Sequence, residues 1–157
     1  MKKLFLFTMM LLSVLAANAD DNGTCGENLT WRYDEVNKTL LISGNGAMNN
    51  YSSWNNTVPW KQYQKAINEV IIENGVTSIG VHAFNGCSSL TSVTIPNTVT
   101  DIGSFAFYGC SGLTSINLPD NITSISSYSF NGCTNLASIT IPSLVTTIEE
   151  YAFCDCI

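Results

Sequence analysis

The chain has 157 residues, of which 45% are hydrophobic and only 11% are charged. Its 12 acidic and six basic residues give a net charge of −6. This balance argues against nucleic acid and anionic membrane surfaces as partners, because both are bound through clustered Lys and Arg. The length fits one small domain, and the sequence contains no motif that indicates a cofactor.

The first 19 residues have the pattern of an export signal. Lys2 and Lys3 precede an apolar run from Leu4 to Ala17, and Ala17-Asn18-Ala19 fits the rule for signal cleavage. An uncleaved anchor is disfavoured because the run is short for a membrane span. We expect residues 1–19 to be removed and no membrane insertion afterwards. The remaining chain would then have four basic and 12 acidic residues, which gives a net charge of −8.

Residues 20–75 are predicted to form an N-terminal cap with a degenerate first repeat. The segments Leu29–Tyr33 and Thr39–Ser43 predict a β-hairpin. Pro59 precedes Trp60–Ala66, for which we predict one or two helical turns. The apolar residues of a degenerate repeat strand follow at Ile67, Val70 and Ile72. Terminal repeats are atypical because they cover the open end of a repeat core.

Residues 76–157 repeat every 23 residues, in three full units and one partial unit. The units begin at Val76, Val99, Ile122 and Val145. The same residue types recur in each unit, including Phe84, Phe107, Phe130 and Phe153, then Cys87, Cys110, Cys133 and Cys156. A fixed period of this size is typical of a solenoid, whose coils bury apolar residues by stacking. We therefore predict a β-rich solenoid.

Each unit contains two extended segments and a turn. Leu90–Pro96 alternates between apolar and polar residues, which predicts a half-buried strand that ends at the proline. Val76–Ile79 predicts a second short extended segment. Gly86 and its equivalents Gly109 and Gly132 predict a tight turn after each Phe. Stacked copies of these segments are expected to form parallel sheets.

Six cysteines in an exported chain would ordinarily suggest disulfides. The four repeat cysteines occupy equivalent positions, however, and equivalent side chains of stacked coils point the same way, which suits disulfide geometry poorly. We expect buried, reduced thiols that pack as small apolar groups. Cys25 and Cys154 lie outside this set and stay unassigned.

The sequence offers little for catalysis or metal binding. The one histidine, His82, aligns with Phe105, Tyr128 and Tyr151, which indicates a variable and partly covered surface position. Cys154 and Cys156 lack the further ligands that a zinc site needs, and no calcium loop is present. We expect no enzyme activity and no metal.

Two surfaces are candidates for binding. The outward strand positions would form a flat polar face, although plain solubility explains such residues as well: Ser92, Thr94, Ser115, Asn117, Ser138 and Thr140. The second candidate consists of the aromatic residues of the N-terminal region, which could equally be the core of the cap: Trp31, Tyr33, Tyr51, Trp54, Trp60 and Tyr63.

The C-terminal residues predict an exposed edge. The last complete strand, Leu136–Pro142, has no lysine to discourage pairing with another strand. Residues 145–157 supply only the front of a fourth unit. We expect either a longer array or an edge that another copy or a partner covers, and we predict self-association through residues 134–157.

The repeat resembles the BspA-like leucine-rich repeats in its pattern V-T-x-I-x-x-x-A-F-x-G-C-x-x-L-x-S-x-x-I-P. The resemblance covers residues 67–157, and it departs from the pattern at Ser129, which replaces Ala, and at Asp155, which replaces Gly. It implies a leucine-rich repeat fold and a secreted or cell-surface protein linked to adhesion. The expected partner is an extracellular protein or glycan; the alternative is a structural spacer.

Overall fold

The computed structural model describes residues 21–52 and 57–156. The predicted export signal, residues 1–19, lies outside these ranges, as does Trp54. The strands are β1 Asp21–Gly26, β2 Leu29–Asp34, β3 Thr39–Gly44, β4 Gly46–Ala47, β5 Glu69–Ile72, β6 Val76–Ile79, β7 Ser92–Thr94, β8 Asp101–Ile102, β9 Ser124–Ile125 and β10 Thr147–Ile148. One 3-10 turn covers Lys61–Tyr63, and the described residues contain no α-helix.

The N-terminal part is an antiparallel three-stranded ribbon. β2 pairs with β3 in the predicted hairpin, with Trp31 opposite Ile42. β1 pairs with β2 and was not predicted, because its sequence Asp-Asn-Gly-Thr-Cys-Gly has little strand propensity. Its pairing with β2 and the burial of Cys25 hold it in place.

A parallel ladder joins this ribbon to the repeats. The strand order in the five-stranded sheet is β1-β2-β3-β5-β7, with β3–β5 and β5–β7 parallel. Leu40 and Val70 are register partners and both are fully buried. The degenerate strand predicted before the first unit is therefore present as β5.

The second extended segment also recurs, as predicted. β4, β6 and β8 form a three-stranded parallel sheet, and β9 pairs with β10 in parallel. Between the paired strands, Thr100 N donates to Thr77 O and Thr146 N to Thr123 O, each at 2.9 Å. The first unit is thus joined to the second at this segment, and the third to the fourth, with a step of 23 residues; β8 and β9 are not paired in the described structure.

The prediction of a continuous sheet from the Leu90–Pro96 segment and its copies is wrong beyond β7. Residues 113–119 and 136–142 are not strands, and no backbone hydrogen bond joins residues 114–118 to 91–95 or to 137–141 within the described chain. Residues 115–118 still alternate between exposed and buried positions although they form no strand: Ile116 and Leu118 are buried, whereas Ser115 and Asn117 are exposed.

The turn segment carries the connection between units instead. His82, Phe84 and Gly86 donate their backbone N–H groups to carbonyls of the next unit, at 3.1, 2.8 and 2.6 Å. The intervening residues donate within the same turn. The same pattern starts again at Phe105 and at Tyr128, and its last bond runs to the carbonyl of Cys154. Along each turn, backbone N–H groups therefore alternate between bonds within the turn and bonds to the next unit.

The turn glycines have the left-handed conformation that their positions require. Gly86, Gly109 and Gly132 have φ of +70°, +67° and +73°. Asp155 replaces glycine at the equivalent position of the last unit and keeps the conformation at φ +60°. Asp is one of the few other residues that tolerate it, and this is why the turn is preserved.

A column of stacked aromatic rings runs through the core. Phe84, Phe107, Phe130 and Phe153 stack with centroids 5.3, 5.4 and 5.5 Å apart. Trp60 precedes them, stacked on Phe84 at 5.7 Å, and its Nε1 donates to Ala83 O. Simple 23-residue spacing would put Lys61 at that place. The 3-10 turn shifts the register by one residue and brings the indole into the column.

Candidate functional site

The predicted polar face is exposed at every position. We call Ser92, Thr94, Ser115, Asn117, Ser138 and Thr140 the polar row. Between its members Val93 and Ile139 are half-buried and Ile116 is buried. The row therefore presents short hydroxyl and amide side chains to solvent, two from each of three successive units. Only its first two members lie on a hydrogen-bonded strand, β7.

The N-terminal aromatic residues belong to the core and do not form a binding surface. Trp31, Tyr33, Tyr51 and Trp60 are at most 7% exposed. Trp60 makes edge-to-face contacts with Trp31 at 6.0 Å and with Tyr51 at 5.8 Å. Tyr63 is partly buried and stacks on Tyr33 at 4.0 Å. Of the two interpretations that the sequence allowed, the packing one is confirmed for these residues.

A second row of rings lies at the surface. We call His82, Phe105, Tyr128 and Tyr151 the outer ladder. Their rings stack with centroids 4.7, 4.7 and 4.9 Å apart. Tyr108 leans on Phe105 at 5.7 Å and is 39% exposed, and Tyr151 is 55% exposed. The sequence showed the ring-bearing residues at this repeat position but gave no sign that they stack.

The outer ladder has an unusual backbone. All four residues have positive φ, between +57° and +59°. This conformation costs roughly 1–2 kcal/mol for a residue with a Cβ. In His82, Phe105 and Tyr128 the backbone N–H donates to a carbonyl of the next unit, as in the 3.1 Å bond from Phe105 N to Ser127 O. The same backbone conformation therefore occurs where the rings stack and where the hydrogen bonds between units form.

Cys87, Cys110 and Cys133 are buried, as predicted, whereas Cys156 is only partly buried. The thiols of Cys110 and Cys133 also act as hydrogen-bond donors. Cys110 Sγ donates to Phe84 O at 3.2 Å, and Cys133 Sγ donates to Phe107 O at 3.3 Å. Burial raises the pKa of Cys87 and Cys133 to about 12 and that of Cys110 well above its usual value. Nucleophilic chemistry needs the thiolate, so these thiols are poorly suited to it.

His82 is engaged in local contacts. Its Nδ1 lies 2.8 Å from Asn85 Nδ2, and its ring stacks on Phe105. Burial lowers its pKa. A small cavity of about 160 Å³ lies beside it, with Tyr51, Lys61 and Gln64 among its walls. Among the described residues, the partners of the imidazole are thus an amide and a phenyl ring, and neither is a nucleophile.

Metal and membrane features are absent from the part of the chain that the structure describes. Residues 21–52 and 57–156 contain no group of three or more His, Cys, Asp or Glu side chains placed to hold a metal. No helix in those ranges is long and apolar enough to cross a bilayer.

Charge is unevenly distributed along the chain. No Lys or Arg follows Lys65, whereas seven acidic residues do. Glu149 and Glu150 are exposed near the end of the outer ladder. Glu149 accepts hydrogen bonds from Ser127 N and Oγ at 3.0 and 2.8 Å, which lower the pKa of its carboxyl. The repeat surface is therefore anionic.

Comparison with solved structures supports the architecture. The chain is similar to a leucine-rich repeat protein from T. pallidum, with 25% identity and a TM-score of 0.59; the match covers 85% of this chain and 67% of that one. A leucine-rich repeat protein from Bacteroides ovatus is 31% identical with a TM-score of 0.56, covering 83% and 32%. The chain thus spans about a third of the B. ovatus protein. No curated protein matches.

The family model of the BspA type leucine rich repeat region matches residues 62–157 in six copies. The match begins just before Ile67, the first apolar residue of the degenerate strand, and includes every unit from Val76 onwards. It confirms the resemblance read from the Ala-Phe-x-Gly-Cys turns and the 23-residue step. The chain belongs to the BspA-type leucine-rich repeat family.

Proposed function

We propose that this protein is an exported or cell-surface repeat module that binds a protein or glycan on another surface and has no catalytic role. Membership of a repeat family related to solved leucine-rich repeat proteins supports a binding or repeat module. We further propose that the units stack as a solenoid, with residues 20–75 as its N-terminal cap. The shared 23-residue step of the hydrogen bonds and the two columns of rings favour this arrangement.

The polar row is the observation that carries the proposal. Its six side chains are exposed in three successive units and follow the repeat step. Hydroxyl and amide groups both donate and accept hydrogen bonds, as sugar hydroxyls and peptide groups do. The row has no charge of its own, so it suits neutral polar ligands.

A binding assay with matched variants tests the proposal. The chain from residue 20 is applied to immobilised extracellular matrix proteins and to a glycan panel. Replacement of Thr94, Asn117 and Thr140 by Ala should weaken any binding about ten-fold or more, since each lost hydrogen bond is worth roughly 1 kcal/mol. The control replaces Thr77, Thr100 and Thr123, which are exposed at equivalent positions elsewhere in the unit. Equal losses in both triple variants would exclude the polar row as the binding face.

A structural spacer or assembly unit is the second candidate. Apolar side chains are exposed near the last unit: Ile141, Leu144, Ile148 and Tyr151 are 38–55% exposed. A further coil, supplied by another copy, could cover these side chains. Self-association without any other ligand would favour this function over the first.

A further inference from the structure

The outer ladder and Tyr108 form a surface that the polar row does not include. The rings of His82, Phe105 and Tyr128 are only half-buried. A column that served packing alone would be buried like the inner one, where Phe84, Phe107 and Phe130 are all 0% exposed. The outer rings therefore leave a strip of aromatic edges in contact with solvent. Aromatic residues in such strips are the usual anchors of protein interfaces.

The charges beside the Tyr128 and Tyr151 end of this strip are negative, whereas Lys61 lines the cavity beside His82 at the other end. Burial raises the pKa of the Tyr128 phenol, and the nearby Tyr151 and Glu150 raise it further, which places Glu150 close to this ring. Glu149 is hydrogen-bonded to Ser127, the neighbour of Tyr128. No Lys or Arg follows residue 65 to neutralise these carboxylates. A positively charged partner is favoured, and a second copy of the same face would be repelled.

The stacking geometry favours a positively charged protein segment over a sugar as the ligand of this strip. A sugar ring packs on an open aromatic face. Each face of Phe105 is covered, by His82 on one side and by Tyr128 on the other, with interplanar angles of 15° and 5°. Along the middle of the ladder the covered faces leave edges, hydroxyl groups and the tilted ring of Tyr108, and Tyr151 is stacked on Tyr128 alone among the described rings. Long aliphatic stems can lie along such edges while their charged ends reach the carboxylates.

We propose that the outer ladder, with Tyr108, Glu149 and Glu150, is a docking surface for an Arg- or Lys-bearing segment of a partner protein. The proposal rests on the binding function proposed above and names a partner class and a different face. Guanidinium groups would pair with the exposed carboxylates, and the Tyr hydroxyls would accept further hydrogen bonds.

The test uses a 12-residue peptide of alternating Arg and Gly as the probe, with an alternating Glu and Gly peptide as its control. Binding to the chain from residue 20 is measured by titration calorimetry at low and high salt. We expect the Arg peptide to bind, with affinity falling as salt rises, and the Glu peptide not to bind.

Matched variants distinguish a docking surface from simple attraction of opposite charges. The double variant Tyr108→Ser and Tyr151→Ser leaves the net charge unchanged and should weaken binding about three- to ten-fold. Glu150→Gln should weaken it about two- to five-fold. Glu73→Gln removes the same charge from an exposed position before the first unit and should leave the affinity unchanged. Circular dichroism confirms that each variant is folded.

Three results would overturn the proposal: no binding of the Arg peptide, equal losses in Glu73→Gln and Glu150→Gln, or no effect of the Tyr double variant. The triple variant of the polar row distinguishes failure of this docking surface from failure of the proposed function. If it loses the matrix or glycan ligand while the Tyr variant retains that ligand and neither affects the Arg peptide, the proposed function stands and the docking surface fails.

Discussion

At the scale of single residues, Ser129 occupies a repeat position that holds Ala in the other three units. Its equivalents Ala83, Ala106 and Ala152 are buried. Ser129 is 0% exposed, and its Oγ has no hydrogen-bond partner in the described structure. A buried hydroxyl without a partner has lost its hydration without compensation. The site is therefore a local source of instability.

Ser129→Ala should raise the free energy of unfolding by about 1–2 kcal/mol, because it removes the unpaired hydroxyl and keeps the fit of the other units. Urea denaturation gives the measurement, as a higher midpoint at constant slope. Ala106→Ser is the matched control and should destabilise by a similar amount. An unchanged midpoint in Ser129→Ala would mean that the hydroxyl has a partner in solution.

Cys110 tests the role of the repeat thiols. The sequence suggested a buried packing group, and the structure adds a hydrogen bond to Phe84 O. Cys110→Ser should destabilise by roughly 1–3 kcal/mol, because the hydroxyl is costlier to bury and its shorter bond to carbon reaches the carbonyl less well. Cys110→Ala should cost less. Alkylation with and without denaturant checks the thiol state: Cys87, Cys110 and Cys133 should react only after unfolding.

At the scale of elements, the inner column of rings and the turn segment hold the units together. Phe107 is fully buried and stacked on both sides. Phe153 is only partly buried, and Phe130 is its one ring partner among the described residues. The energetic importance of the column therefore depends on position along the stack.

Phe107→Ala should lower the free energy of unfolding by about 3–5 kcal/mol, as for other buried aromatic truncations. Phe153→Ala should lower it by much less, because a terminal unit contacts one neighbour. Thermal unfolding of both variants, followed by circular dichroism, makes the comparison. Equal losses of stability at the two positions would count against a structure in which each unit is stabilised only by contacts with the adjacent units.

At the scale of the whole molecule, association is the property that the surface controls. Residues 136–142 do not form the regular edge strand that the sequence predicted. Ile141, Leu144 and Ile148 are nevertheless exposed, and within the described ranges β10 has β9 as its one strand partner. Self-association through residues 134–157 stays a prediction, now based on exposed apolar side chains and a two-residue edge.

Thr140→Lys should reduce self-association of the chain without unfolding it, because Thr140 is exposed and an added charge opposes apolar contact. Light scattering across a concentration series is the measurement. Thr94→Lys, two units earlier and also exposed, adds the same charge away from the last unit and should have little effect. A strictly monomeric wild type at high concentration would contradict the prediction.

The sequence determined the repeat step, the hairpin and the buried residues of the internal units, although Ile141 and Ile148 of the last units are exposed. Each of these follows from local periodicity: two-residue alternation predicts one buried strand face, and a 23-residue period repeats it. The glycine turns were predictable from residue type, since Gly adopts positive φ without strain; the same conformation was not predictable in this way for the four residues of the outer ladder.

Only the tertiary structure decided which segments join the units. Whether a segment becomes a strand depends on a hydrogen-bonding neighbour, and residues 113–119 alternate like a strand without having one. The entry of Trp60 into the inner column and the stacking of His82 on Phe105 likewise depend on contacts between residues about 23 apart. Composition and period indicate which side chains are buried, but the distances between units determine which backbone groups and rings meet.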